Sequence, residues 1–410
     1  MNSGAIKSKA GCCAFVSRFF FAFVVLVLGM MPQGARASTS NAQLEQYVIN
    51  LCANPPSPLP AGWSALSLAI MCTHLGGAAS SGGVNVSANL GIATAGGDVS
   101  TRKKKRLRDL EQEQDKNKEK AASGDEGAWG FVVTPQYGKN TRSETDLENG
   151  YHSNLSGLLV GVDYRFSDRF VLGTTIAHTK DKATFFNDAG SLNTGNTSLV
   201  LYGTWLAGES ISFDGYLGNG KLSLDSQRKI DWSTTINNGF FGTVTGNTSG
   251  SQTLAGLSVT LQQSYGQLNV SPFLNVDYIK TKISGYDEVG TTTIEMHYGD
   301  RNISSLTSSL GLRLENSYSY GWGMLVPNVR LASVHEFQNR SQQIMNELVI
   351  TPGSGFNVAT DAATRNYLNS GFGIVAALNR GMQLFVDYDK RSRDPLLNSW
   401  AVNIGVLIGN

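Results

Sequence analysis

Hydrophobic and polar residues alternate with a period of two along most of the chain after Gly127. The stretch MQLFVDYD at 382–389 places Met, Leu, Val and Tyr on one face and Gln, Phe and two Asp on the other. The stretch LTSSLGLRLE at 306–315 places mainly leucines on one face and Thr, Ser, Gly, Arg and Glu on the other. This is the period of a β-strand, because successive side chains point to opposite faces of a sheet. Such segments are therefore predicted to be strands with one apolar and one polar face.

Twelve such strands are predicted. They lie near residues 128–138, 154–166, 169–179, 195–207, 210–224, 251–264, 267–283, 304–318, 322–338, 366–379, 381–391 and 398–408. Their connections alternate between tight turns, such as 166–169, and long polar loops, such as 225–250. Short turns at one rim and long loops at the other are typical of outer-membrane barrels. We therefore predict an all-β fold, a twelve-stranded antiparallel transmembrane β-barrel with an N-terminal helix in the lumen.

A soluble β-sandwich or β-helix is the alternative fold, since its strands also alternate. The outer face of such a fold should be rich in charge, whereas the apolar faces here carry almost none in mid-strand. Aromatic residues lie near strand ends, as in interfacial girdles. They are Tyr137, Tyr164, Phe166, Trp205, Trp322, Tyr388 and Trp400. No apolar run after residue 37 is long enough for a transmembrane helix, so any span must be made by closed β-structure.

The polar faces of the strands are predicted to line a water-filled lumen. From Glu126 onward the chain has 20 Lys+Arg and 24 Asp+Glu, a net charge of −4. The candidate lumen-facing charges are Asp163, Asp214, Asp277, Arg313, Arg330 and Asp387. A closed single-chain barrel leaves no free sheet edge, so we expect a monomer whose outer face contacts outer-membrane lipid.

Residues 1–37 have the parts of a secretory signal peptide. Lys7, Lys9 and Arg18 supply positive charge, the run from Phe19 to Met31 is almost wholly apolar, and 35–37 reads ARA. Small residues in an A-x-A arrangement are what signal peptidase cleaves, so cleavage is predicted after Ala37. A membrane anchor is the alternative, but the apolar run is shorter than the roughly 20 residues that a spanning helix needs.

Residues 38–100 form a leader that is too short for a large independent core. An apolar, helix-compatible stretch from Trp63 to Leu75 precedes a region rich in Gly, Ser and Ala. Cys52 and Cys72 are the cysteines that remain after signal removal. Two cysteines that close a short loop in an oxidising compartment most simply form one disulfide, while metal ligation has only His74 nearby to support it.

Residues 101–122, TRKKKRLRDLEQEQDKNKEKAA, are predicted to form a helix that is polar on every side. The segment contains nine Lys+Arg and five Asp+Glu, with the basic residues first. Its leading positive charges are Arg102, Lys103, Lys104, Lys105, Arg106 and Arg108. Such a helix is either a solvated spacer or a rod held in a water-filled channel. An acidic lumen would attract it.

Candidate catalytic chemistry is sparse. His74, His152, His178, His297 and His335 are scattered singly, and no serine has the strand–turn–helix context of a nucleophile elbow. A barrel protease built from His152, His178, Asp181 and Asp300 is the weak alternative to the prediction that the chain is not an enzyme. Removing the signal leaves 29 Lys+Arg (33 minus Lys7, Lys9, Arg18 and Arg36) against 32 Asp+Glu. This balance gives no reason to expect nucleic acid as a partner.

Together, the signal, leader, charged segment and strands resemble the C-terminal translocator domain of the autotransporter (type V secretion) family. The stretches SFDGYLGNG at 212–220, PNVRLASVHEF at 327–337 and GMQLFVDYDKR at 381–391 are similar to that domain. The resemblance covers residues 100–410 and implies a barrel, residues 123–410, in the outer membrane of a Gram-negative bacterium. It implies that residues 101–122 thread the pore and join a passenger, 38–100, to the first strand. It implies no cofactor, with barrel-assembly machinery and periplasmic chaperones as partners during biogenesis.

Two departures from the family pattern affect these expectations. The chain ends GVLIGN rather than in an aromatic residue, which predicts less efficient insertion, and the leader is far shorter than the long β-helical passengers typical of the family. We predict a translocator that anchors and displays, or exports, its own N-terminal segment. The alternative is a stand-alone barrel that acts as an adhesin or a small-solute channel, with residues 38–122 in the periplasm.

Overall fold

The computed structural model of the protein describes residues 47, 50–52, 54–57, 59–61, 63, 129–167, 169–208, 210–231, 241–292, 294–378 and 381–409. The predicted signal peptide (1–37), the predicted pore helix (101–122) and Cys72 lie outside the described residues. Among the described residues, no helix is long and apolar enough to span a membrane.

Strands dominate the described part of the chain. They are β1 (Trp129–Arg142), β2 (Tyr151–Ser167), β3 (Phe170–Phe185), β4 (Gly190–Leu206), β5 (Ile211–Asp231), β6 (Phe241–Leu261), β7 (Gln263–Tyr265), β8 (Leu268–Ile283), β9 (Tyr286–Asp287), β10 (Met296–Tyr298), β11 (Arg301–Asn316), β12 (Tyr318–Tyr320), β13 (Gly323–Glu336), β14 (Gln343–Leu348), β15 (Phe356–Ala359), β16 (Asn366–Leu378), β17 (Met382–Ser392) and β18 (Leu397–Gly409). A 3₁₀ turn, Phe186–Asp188, joins β3 to β4.

Twelve of these strands form a closed antiparallel barrel in the described residues, which confirms the predicted fold class. They follow the order β11-β13-β16-β17-β18-β1-β2-β3-β4-β5-β6-β8, and β8 pairs with β11 to complete the ring. The first strand pairs with the last from Gly130 opposite Gly409 to Arg142 opposite Leu397. The sheet therefore has no free edge at the junction of the two ends.

The barrel has two different rims. Tight connections of up to six residues join the strands at the short-turn rim, where β2 ends at Ser167 and β3 begins at Phe170. Longer connections, including 284–300 and 337–365, lie at the opposite, long-loop rim. Strand β1 begins at the short-turn rim, because Trp129 pairs with Tyr164 close to that turn.

Side chains alternate between the outer and inner faces, as the period of two predicts. On β6, Leu257 is 72% exposed on the outside, whereas Leu254 is fully buried inside. Aromatic residues surround the outer face at two heights, with Trp129 stacked edge-on against Tyr164 at one and Tyr137 against Trp400 at the other. Eight positions of β1 separate the two heights, about 27 Å along the strand or about 20 Å after tilting. An apolar band of this height matches the hydrocarbon layer of an outer membrane.

Several predicted loops are partly wrong, because the strands continue beyond the apolar band. The predicted loop 180–194 contains the end of β3 and the start of β4, and the predicted loop 139–153 contains the end of β1 and the start of β2. Charged and other polar residues dominate these extensions, so they lack the apolar alternation that marked strands in the sequence. Backbone pairing with a neighbouring strand is sufficient to extend a hairpin into water.

Candidate functional site: the lumen and its long-loop rim

The six charged residues predicted to face the lumen come from six different strands. Asp163, Asp214 and Asp387 are buried on the inner face. Arg330 on β13 donates to Asp387 on β17 at 3.1 Å and to Asp389 at 2.6 Å. The structure thus brings together two of the predicted residues and adds Asp389, which the sequence analysis did not single out as a site residue.

Hydroxyl groups hold the other inner carboxylates in place. Tyr216 donates to Asp277 at 2.7 Å, and Thr204 donates to Asp214 at 2.8 Å. The Arg313 guanidinium lies 5.9 Å from the centroid of the Phe273 ring. Each of these two carboxylates is oriented by a hydroxyl group on a neighbouring strand, so acidic side chains occupy fixed positions on the inner wall.

A second feature of the inner wall is a set of aromatic rings packed on glycines. Each ring lies directly opposite a glycine on the adjacent strand. The pairs are Tyr202 with Gly173, Tyr216 with Gly256, Phe273 with Gly311, and Phe385 with Gly405. A Cβ atom at any of these glycines would lie between 2.0 and 2.3 Å from an atom of the facing ring or its hydroxyl. The glycines are therefore required for the rings to lie flat against the wall.

The inner wall is also more apolar than the sequence analysis expected. A buried cluster lines part of it. Its members are Val132, Leu159, Ala177, Val200, Tyr202, Tyr216, Leu254, Ile279, Val375 and Phe385. Alternation reveals which face a residue occupies but not how polar that face is, and β1 carries Phe131, Val132 and Val133 in succession across both faces. The lumen is consequently a mixed surface rather than a uniformly wet one.

A cluster of charges, the rim cluster, ties the first hairpin loop to the loop after β15. Arg142 pairs with Glu148 and with Asp361, each at 2.6 Å. The Asp361 backbone N–H donates to Glu148 at 3.1 Å, and the Thr145 hydroxyl donates to Asp361 at 2.7 Å. The rim cluster borders a cavity of about 190 Å³ at the long-loop rim. Four arginines and four carboxylates line this cavity: Arg142, Arg301, Arg340, Arg391, Glu148, Glu336, Asp361 and Asp394.

Burial raises the pKa of Glu148 from its usual 4.5 to about 7, since desolvation and the nearby Asp361 carboxylate outweigh the attraction of Arg142. The folded rim therefore binds a proton more tightly than the unfolded chain does. The contribution of Glu148 to the stability of the folded rim is therefore greatest below pH 4.5. This contribution decreases as the pH rises from 4.5 to 7, by about 3 kcal/mol at most. We expect the Glu148 carboxyl carbon to titrate in NMR with a midpoint near pH 7.

One comparison checks this expectation. The Glu148→Gln variant should lose that resonance. A midpoint below pH 5 would show that the ion pair with Arg142 dominates burial.

Above the long-loop rim lies a small separate sheet that the sequence analysis did not predict. This loop sheet has four strands in the order β15-β14-β10-β9 and is built from the connections 284–300 and 337–365. Its strands are two to six residues long, too short for a reliable alternation signal. It joins the barrel through β6, since Thr245 and Val289 exchange backbone hydrogen bonds.

A buried ion pair fixes the loop sheet to the end of β5. Arg228 donates to Glu288 through Nε at 3.0 Å and through Nη2 at 2.5 Å, and its Nη2 also reaches the Ile294 carbonyl at 3.0 Å. Glu288 accepts further bonds from the Met296 N–H at 3.0 Å and the Tyr298 hydroxyl at 3.3 Å. Arg228 is only 1% exposed, so this bidentate pair is shielded from water and competing ions.

The N-terminal residues that the structure describes, between 47 and 63, lie on this loop sheet; we call them the docked segment. Leu51 belongs to one buried apolar cluster with residues of β6, the 284–300 connection and β14: Val244, Ile294, Met296, Tyr298 and Leu348. The Tyr47 ring stacks on Phe356 with centroids 4.8 Å apart, and its hydroxyl lies 2.5 Å from that of Ser354. The Trp63 indole N–H donates to the Pro352 carbonyl at 3.0 Å.

Cys52 packs against the same cluster and is disulfide-bonded. Its predicted partner Cys72 lies outside the described residues, so the pairing stays a prediction. Residues 50–52 are helical, as is Tyr47. The helix-compatible stretch that was predicted, Trp63 to Leu75, begins after these residues.

The residues of the barrel-protease hypothesis do not form a shared site, because they lie on different faces of the strands. His178 is exposed on the outer face of β3 and bonds to Thr197, whereas Asp181 is partly buried and accepts from Ser153. His152 is exposed and bonds to Thr141. Among the described residues, no group of three or more His, Cys, Asp or Glu side chains is arranged to hold a metal ion.

Comparison with known proteins gives the same architecture. The family model "Autotransporter beta-domain" matches residues 131–389. The translocator domain of autotransporter NalP from Neisseria meningitidis superposes with a TM-score of 0.55 at 13% identity, covering 77% of this chain and 98% of that one. The beta domain of the Bordetella autotransporter BrkA superposes with a TM-score of 0.51 at 18% identity, covering 69% and 100%. These likenesses concern the fold.

Curated relatives are longer proteins. "Lipase 1" of Photorhabdus luminescens is 24% identical over 277 residues, which are 65% of this chain and 40% of the relative. "Outer membrane protein A" of Rickettsia rickettsii is 25% identical over 301 residues, which are 68% of this chain and 13% of the relative. The chain thus spans less than half the length of either relative.

Proposed function

Because the chain belongs to the autotransporter β-domain family, we propose that its barrel, an outer-membrane translocator, passes its own N-terminal segment through the lumen and anchors it at the cell surface. The barrel itself is proposed to be non-catalytic. Relatives named as a lipase and an esterase show that activity can accompany such barrels in the same protein. Any activity of this protein would then reside outside the barrel.

The position of the docked segment is the observation that supports this proposal most directly. Tyr47 and Trp63 contact the loop sheet at the long-loop rim. Strand β1, which comes later in the chain, begins at the short-turn rim. We infer that the connection, residues 64–128, passes from one rim to the other. It can do so only through the lumen or around the outside of the barrel.

The charge of the connection favours a route through the lumen. Residues 101–122 within the connection carry nine Lys+Arg and five Asp+Glu. A charged side chain in the middle of a bilayer costs about 2.5–3.5 kcal/mol or more, so a route through lipid would cost tens of kcal/mol for this stretch. The lumen instead offers the oriented carboxylates of Asp163, Asp214 and Asp277, and the barrel from Glu126 onward has a net charge of −4.

The same position argues against the alternative of a stand-alone adhesin or solute channel. That alternative keeps residues 38–122 in the periplasm, on the short-turn side. The docked segment instead contacts the rim formed by the long loops, which face outward from the cell in outer-membrane barrels.

The partners follow from the proposed route. Outer-membrane lipid contacts the apolar outer face, and barrel-assembly machinery and periplasmic chaperones handle the chain before closure. The closed ring of strands favours a monomer, since the barrel sheet, in the part of the chain that the structure describes, has no free edge for pairing.

An epitope-labelling experiment on intact cells tests the proposal. One tag is inserted between Ser40 and Asn41, ahead of the docked segment, a second in the long-loop connection 232–240, and a third at Gly266 in a short turn. We expect antibody to label the first two tags equally on intact cells, and the third only after permeabilisation. Labelling of the 40/41 tag only after permeabilisation would place the N-terminal segment in the periplasm and contradict export.

A further inference from the structure

We propose that the loop sheet is a binding site for the docked segment that holds it at the cell surface without a covalent link to the barrel. The inference rests on the proposed export and adds to it. Export requires only a lumen, whereas the described contacts form a separate interface outside the barrel.

The docked segment and the loop sheet share one hydrophobic core. Leu51 is 9% exposed, and Val244 of β6 and Leu348 of the loop sheet, which belong to the same cluster, are fully buried. Tyr47, Cys52, Leu59 and Trp63 pack against the cluster from the segment's side. Without the segment, the loop sheet would expose an apolar patch, which soluble surfaces seldom tolerate.

The interface between the docked segment and the loop sheet also has specific polar contacts at its edges. The hydroxyls of Tyr47 and Ser354 form a hydrogen bond, and the Trp63 indole donates to the Pro352 carbonyl. Aromatic side chains with a buried body and a bonded polar atom are typical anchors of protein interfaces. The two anchors lie at opposite ends of the docked segment and bind the same turn after β14.

Contacts that do not involve the docked segment also hold the loop sheet to the barrel. The pair Arg228–Glu288 joins it to β5, and the bridge Thr245–Val289 joins it to β6. A site built on such a support loses little conformational entropy on binding. Cys52, being disulfide-bonded, further limits the freedom of the segment. Both sides are thus organised for association.

The test separates retention from covalent tethering. A site for a sequence-specific protease is inserted between Ser80 and Ser81 in the full-length chain, and an epitope tag between Ser40 and Asn41. Protease is added to intact cells, and the tagged fragment is measured in the cell pellet and in the supernatant. We expect cleavage, with most of the fragment remaining in the pellet.

Two altered chains identify the binding site. The double variant Tyr47→Ala/Trp63→Ala changes two residues outside the barrel. Barrel assembly, checked by heat-modifiable gel migration, should therefore not change. We expect about tenfold more fragment in the supernatant after cleavage. Phe356→Ala, on the loop sheet, should act in the same direction. Met345→Ala is the matched control, since Met345 is 64% exposed on the other face of β14, and it should retain the fragment as the unaltered chain does.

Each other outcome overturns the inference. Release of the fragment from the unaltered chain would leave export intact and remove retention. Equal retention by the Tyr47/Trp63 variant would show that the loop sheet is not the binding site. Cleavage only in lysed cells would remove export and retention together.

Discussion

Replacing Arg228 with methionine is expected to unfold the loop sheet while the barrel stays closed. The change leaves the Glu288 carboxylate, itself 5% exposed, buried without its cation. Removing one partner of a buried pair costs about 3–5 kcal/mol, which exceeds what a sheet of four very short strands can tolerate. The backbone pairing of Arg228 with β4 and β6 does not depend on its side chain, so only the loop sheet should open.

Amide exchange in β10 and β14, measured by mass spectrometry, should accelerate by about two orders of magnitude in this variant. The matched control is Lys229→Met, whose partner Asp188 is 80% exposed, and it should change exchange hardly at all. The double variant Arg228→Met/Glu288→Leu should recover most of the protection, because it removes both charges. Slow exchange in the single variant would mean that backbone pairing alone holds the sheet.

Replacing Gly256 with alanine is expected to impair closure of the barrel. The added Cβ would lie 2.2 Å from Tyr216 Cε1 and 2.7 Å from Asp277 Oδ1. The ring would have to leave the wall and give up its hydrogen bond to Asp277, at a combined cost of about 2–4 kcal/mol. The neighbouring β-strands would then be forced apart at a level where the lumen is densely packed.

Heat-modifiable gel migration measures the folded fraction of each variant in outer-membrane preparations. We expect a several-fold loss for Gly256→Ala and partial recovery when Tyr216→Ala is added. Gly203→Ala is the control, since a Cβ there meets nothing closer than 3.4 Å. Normal folding of Gly256→Ala would show that the ring can shift at little cost.

The alternation of side chains predicted the barrel well because a strand between lipid and lumen has a fixed period. The inward placement of Asp163 and Asp387 follows from counting positions on β2 and β17. Which side chains point into the lumen could be predicted in this way without knowing which strands are adjacent. The pairing of Arg330 with Asp389 could not, because it depends on the register of β13, β16 and β17.

Sequence patterns could not predict the loop sheet and the docked segment, for a different reason. Ile294 and Met296 are single apolar residues within a polar loop, Leu348 begins the short apolar run 348–350, and only the folded chain brings them to Leu51. More than two hundred positions separate Leu51 from each of them in sequence, so no local pattern links them. A short core built from distant loops leaves almost no periodic trace.

The pairing of β1 with β18 sets a timetable for export. A lumen exists only once the last strand has joined the first, so the 281 residues from Trp129 to Gly409 must all be synthesised beforehand. At about 5–20 residues per second this takes roughly 15–55 s. On the proposed route, the docked segment would therefore reach the cell surface only after all the strands of the barrel have been made and the ring has closed.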